Sequence, residues 1–248
     1  MSRQEKSTAG RIRDELAAVS CLRQGAGDVH FIKSLQAARF RGTYSDFLAH
    51  PAYAAATRFF LDELYGEGDF SGRDEQFARI AGAIERLFPP EVGDLAVDLA
   101  TTHGLTERLD HAMARQLPPQ TGTLSDGELV RAYVHAWRQV GEAQSRARQL
   151  SVVIHMGQEL DRLTRRRSLR MALRLMRGPA KAAGLSELQR FLEAGFDAFS
   201  GMRSPQTLLD AIEQRERDWL EALFHAPMDD VTARLEAECR FNDDRSGV

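Results

Sequence analysis

The 248-residue chain carries 33 basic and 36 acidic side chains, a formal net charge of −3, and 43% hydrophobic residues. This is ordinary for a globular protein long enough to bury a sizeable core, and the charge argues against a dedicated nucleic-acid binder. No apolar run approaches the roughly 20 residues that span a bilayer, and MSRQEKSTAGRIRDEL at the start lacks a signal peptide's apolar centre, so a cytoplasmic protein without an integral membrane segment is expected.

Helical periodicity dominates, and almost nothing alternates with period two. Ile12, Leu16 and Val19 mark a first helix; Val29, Ile32 and Leu35 mark a second, with Tyr44 and Phe47 at its end or just beyond. Cys21 and Cys239 lie near opposite ends, share no metal-ligand spacing and are expected to be free thiols. Pro51 sits where a first helical turn tolerates proline, and the helix it opens is expected to reach Tyr65. Ser71 is a candidate N-cap for a helix carrying Phe77, Ile80, Ile84 and Leu87, which Pro89 and Pro90 end. Another helix is expected from about Glu91 to Leu117, with Gly104 a point of perturbation. The uncharged segment 118–124, with two prolines and a glycine, is the candidate hinge.

Ser125 and Glu128 have capping-box spacing and open a long helix expected to run to about Arg165 despite Gly141 and Gly157. Further helices follow near 167–177, from Ser186 with Phe191, Phe196 and Phe199 on its apolar face, from Ser204 and Pro205, and over 229–239. The expected architecture is an all-α, single-domain multi-helix bundle of about nine to eleven helices over residues 1–248, with a frayed polar tail at 242–248.

Residues 58–74, RFFLDELYGEGDFSGRD, run from an aromatic helix end through a Gly- and acid-rich turn into a new helix start. The pattern FFL-x-x-LYG-x-x-DF-x-x-RD resembles a family of uncharacterised bacterial helical proteins, over about Leu35 to Phe224. The resemblance implies a helical fold and no particular chemistry. On the residues themselves, Asp69 or Ser71 would cap the next helix while Arg73 pairs with acids across the turn. Alternatively, Tyr65, Asp69, Arg73 and Asp74 form a polar surface for a ligand or partner.

Candidate metal chemistry rests on spacing. His103, Glu107 and His111 recur every four residues, and His155 and Glu159 repeat the interval on another helix; facing helices that present imidazole and carboxylate inward build di-metal sites. The Glu-x-x-His spacing of ferritin-like di-iron proteins is absent. Leu105, Leu109 and Met113 form the expected buried stripe, which leaves Glu107 nearer solvent. Haem is the related alternative, since an apolar helix bearing histidine offers an axial ligand, although no c-type attachment motif exists.

From Arg162 to Lys181 there are eight basic residues and no acid. Arg166, Arg170, Arg174 and Arg177 recur at helical spacing, opposite Leu169, Leu173 and Met176, on a helix suited to an anionic lipid surface, an acidic partner or a phosphorylated ligand. Met171 and Leu175 widen the apolar face, which suits instead a helix packed in a domain with a basic solvated side. No Gly-x-Ser-x-Gly elbow or phosphate-cradling loop supports nucleophilic or phosphoryl chemistry. The leading reading is a binding protein that engages a small apolar or anionic ligand or a protein partner. The alternative is a metal- or haem-dependent oxidoreductase using the His/Glu set, and a homo-oligomer is compatible with both.

Overall fold

The computed structural model describes residues 6–24, 29–64, 70–118 and 124–240. These form thirteen α-helical segments and one π-helical turn, with no strand among the described residues. The all-α expectation holds, with more helices than the nine to eleven expected. Tyr65, Asp69 and the rest of 65–69, most of the candidate hinge (119–123) and the tail lie outside the described residues.

Two compact units emerge, each assembled from separated stretches of chain. The first comprises 1–26, 69–108 and 155–200. In it α1 (Thr8–Arg23) packs along α5 (Ser71–Leu87), joined by α6 (Pro90–Ala114) as far as Arg108. The later part of α8 (Ala143–Thr164), then α9 (Arg167–Leu175), α10 (Arg177–Ala182) and α11 (Ser186–Ser200) complete it. Ile12, Leu16, Val19, Phe77, Ile84, Phe191 and Phe199 are buried here, as their 3.6-residue spacing predicts.

The second unit comprises 27–68, 109–154 and 201–248. It contains α2 (His30–Thr43), α3 (Ser45–Ala49), α4 (Ala54–Phe59), α7 (Asp126–Val140), α12 (Pro205–His225) and α13 (Met228–Arg240), with the remaining parts of α6 and α8. Its core gathers Ile32, Met113, Val134, Trp219, Leu223 and Leu235. The close approach of α2 to α13 requires Gly42: a Cβ there would stand 2.1 Å from the Glu238 carbonyl oxygen.

Several expected boundaries move. Ser125 does cap α7 in a full capping box: its Oγ accepts from the Glu128 amide and its own amide donates to the Glu128 carboxylate. That helix stops at Val140, because Gly141 (φ 66°) and Glu142 (φ 63°) both take left-handed backbone that no α-helix continues. The single helix expected to reach Arg165 is therefore two. Pro51 lies in a turn rather than a first helical turn, and α4 starts at Ala54. Its end widens into the π-helical turn Phe60–Leu64. Ser71 is the first helical residue of α5, not its cap; Phe70 holds that position without a side-chain hydrogen bond. Gly104 leaves α6 unbroken.

Candidate functional site

In the first unit, α1, α5 and α6 converge on one partly buried charge cluster. Arg23 ends α1, Asp74 lies in the first turn of α5, and His103 and Glu107 stand one turn apart on α6. Arg23 Nη1 lies 3.0 Å from Asp74 Oδ2, and its Nη2 donates to Glu107 Oε1 at 3.2 Å. His103 Nε2 is 2.8 Å from Asp74 Oδ2. An ionised carboxylate only accepts, so Nε2 carries the proton, and the Arg23 Nη2 that lies 3.3 Å from this nitrogen is a neighbour rather than its donor. Burial alone pushes the Asp74 carboxyl up, but the His103 hydrogen bond and the attraction of His103, Arg73 and Arg23 together hold it below its usual 3.8.

This cluster joins residues that the sequence suggested separately. Arg73 and Asp74 come from the signature; His103 and Glu107 come from the four-residue series. Glu107 corrects the expectation of a solvent-side acid: only 2% of it is exposed, because Arg23 reaches it from α1. Arg73 lies over the rings of Phe70 and Phe191, at 4.2 and 4.8 Å, with Asp74 Oδ1 3.6 Å from its Nη2.

The other members of the His/Glu set stand elsewhere. His111 is buried and belongs to the second unit. His155 Nε2 lies 3.8 Å from Asp98, and Glu159 accepts from Arg162 at 2.6 Å. No group of three or more His, Cys, Asp or Glu among the described residues is placed to hold a metal ion. Cys21 and Cys239 are free thiols.

The basic segment forms the exposed side of the first unit's α8–α9–α10 stretch. Four of its eight cations are tied down: Arg162 to Glu159, Arg165 to Asp161, Arg170 to Asp197 and Arg177 to Glu193. Arg170 thus differs from Arg166 and Arg174, with which the sequence grouped it. Arg166, Arg167 and Arg174 are exposed and have no acid within ion-pair distance among the described residues. Helix α9 contains no buried residue; Leu169, Ala172 and Leu173 are half-buried, while Met171 and Leu175 are 64% and 73% exposed. With Met176 and Leu192, at 45% and 39%, these are the exposed large apolar side chains among the described residues. The first three fall within six consecutive positions.

In the second unit, Phe60 and Leu61 of the π-helical turn line an apolar cavity with Phe40, Tyr44, Leu208 and Ile212. Its volume is about 30 Å³, room for little more than water. Glu216 also lines it, accepting from Arg39 at 2.5 and 2.9 Å and from the Tyr44 hydroxyl at 2.8 Å. Neither Arg23 nor this Arg39–Glu216 pair was visible in the sequence, because no local spacing links residues 84 or 177 positions apart.

A domain of unknown function (DUF8198) matches the chain over residues 18–230. This span encloses the one over which the signature resemblance was expected. No curated protein and no solved structure matches.

Proposed function

The chain belongs to this family of unknown function, and from its own surface we propose that it is a binding protein whose working face is the arginine-rich side of α9, engaging an anionic partner. The observation that carries the reading is the coincidence of exposed Arg166, Arg167 and Arg174, in no ion pair among the described residues, with exposed Met171 and Leu175 on the same nine-residue helix and its N-cap. A merely solvated face holds unpaired arginines as readily as paired ones such as Arg162 and Arg165. It does not favour gathering the exposed large apolar side chains beside them. Arginine suits the role, since its planar fork meets phosphate, sulfate or carboxylate oxygens in pairs.

A small ligand inside the second unit has less support, because its cavity of about 30 Å³ is far below the several hundred Å³ of ordinary small-molecule sites. Cytoplasmic placement remains part of this proposal, with two free thiols in keeping with a reducing compartment.

Retention on a heparin column tests the reading. A chain of net charge −3 should nonetheless be held at low salt and released as salt screens the patch. The variant Arg166→Glu/Arg167→Glu/Arg174→Glu should pass straight through with its helical circular dichroism intact, because Glu is about as good a helix former as Arg. Reversal of three exposed arginines elsewhere, Arg115, Arg148 and Arg203, should leave retention in place. Passage of the wild-type protein in the flow-through would overturn the proposal, as would equal retention of the α9 variant.

A further inference from the structure

Resting on the binding face just described, we infer that its partner is the surface of an anionic phospholipid bilayer, on which α9 lies in the interfacial plane. Residues four apart on a helix share a face, so Met171 and Leu175 make one exposed row. Arg167 and Arg174 lie beside it, with Arg170 between them in the same row but held by Asp197. Met176, exposed at the C-cap, is turned about 100° from Leu175 and lies off that row, and Lys181 on α10 adds a further exposed cation without an ion pair among the described residues. An interfacial helix needs this arrangement: apolar side chains at the acyl boundary and guanidinium groups reaching back to lipid phosphates.

Three features favour a bilayer over an acidic protein. The α9 surface is the outer face of a helix whose half-buried Leu169, Ala172 and Leu173 are turned away from solvent, so α9 itself stands as a ridge. The open groove beside it that Lys181 lines is walled mostly by charged and polar residues, among them Arg190, Glu193 and Asp197. The α9 surface lacks the Trp and Tyr anchors that dominate protein–protein hot spots. Its exposed apolar groups, unbranched Met171 beside Leu175, adapt readily to fluid acyl chains. No described helix is long and apolar enough to cross a membrane, so the contact is with the surface. The chain's net negative charge makes the attachment local and salt-sensitive.

The experiment is co-sedimentation with vesicles of phosphatidylcholine alone and of phosphatidylcholine mixed with phosphatidylglycerol, at low and at raised salt. Wild-type protein should sediment with the mixed vesicles at low salt, stay in solution with phosphatidylcholine alone, and be released by salt. Met171→Gln/Leu175→Gln keeps every charge and a good helix former at both sites. It should sediment at least about tenfold more weakly, yet stay on heparin as the wild type does. Retention on heparin without binding to the mixed vesicles would overturn the bilayer inference and leave the anionic-partner reading standing, with an acidic protein the occupant. Undiminished sedimentation of the Gln variant would overturn the apolar contact. Failure on both heparin and vesicles would remove both proposals.

Discussion

Asp74 Oδ2 lies 2.8 Å from His103 Nε2 and 3.0 Å from Arg23 Nη1, so one carboxylate oxygen ties the first turn of α5 to α6 and to the end of α1. Two groups on one oxygen, with Glu107 also on Arg23, make a cluster whose parts depend on one another. Arg73 and Asp74 stand at the end of the family-like signature, and the contacts of Asp74 tie the start of α5 to its neighbours in the first unit.

Asp74→Asn should therefore destabilise by about 3 kcal/mol near neutral pH, since it leaves Arg23 without half of its compensation. The pH dependence follows from the depressed Asp74 carboxyl. A group whose folded-state pKa lies below its usual 3.8 contributes stability that is complete above that value and is lost as pH falls through the folded-state value. Urea unfolding of wild type and variant should show the full gap at about pH 5 and its narrowing as the pH falls below the usual 3.8 and through the depressed folded-state value. A gap unchanged into strong acid would mean that ionisation of Asp74 is not its source.

Arg39 and Glu216 carry the corresponding risk in the second unit. Arg39 is buried, its guanidinium lies 3.8 Å from the Phe40 ring centroid, and Glu216 is its bidentate partner. Glu216→Leu alone should cost about 3–5 kcal/mol by stranding the cation. Arg39→Met combined with Glu216→Leu should recover most of that loss, giving a coupling of at least about 1 kcal/mol in a double-mutant cycle. Additive single costs would show that the pair is solvated enough to be dispensable.

What the sequence revealed and what it hid divide along the range of the interactions. The Ser125–Glu128 box was legible because both partners lie within one helical turn, and the core positions Ile12, Leu16 and Val19 because helix period places them together. The cluster was half legible: spacing singled out His103 and Glu107 and the signature held Asp74, but the cation that organises them comes from α1, and without it Glu107 was placed nearer solvent. The break at Gly141 carried a signal, glycine after an apolar helix end, but Glu142 has no sequence tendency that announces left-handed backbone. On α9 the arginine spacing was plain, whereas the acids that neutralise Arg170 and Arg177 sit on α11, beyond local reading.

Gly42 should tolerate no side chain. A Cβ at this position meets the backbone carbonyl of Glu238 at 2.1 Å, and backbone cannot swing aside as a side-chain tip does. Gly42→Ala should force α2 and α13 apart and cost roughly 1–3 kcal/mol, against the usual gain from alanine within a helix. A thermal melt in which the alanine variant equals or exceeds the wild type would show that α2 and α13 do not approach this closely.

Arg73 distinguishes the structural from the binding reading of the signature. Its guanidinium spans Phe70 at the start of α5 and Phe191 on α11, and it faces the Asp74 carboxylate. Arg73→Ala removes both the stacked plane and the charge, and should destabilise by about 1–2 kcal/mol. Arg73→Lys keeps the charge but not the flat cation that lies over two rings, so it should recover only part of the loss. Urea titrations of the two variants decide the matter when paired with the heparin and vesicle measurements. Lower stability with unchanged binding is the expected outcome, because the α9 face lies apart from Arg73 in the chain and carries its own cations. Wild-type stability in both variants, together with lost binding, would assign the signature arginine to the partner instead.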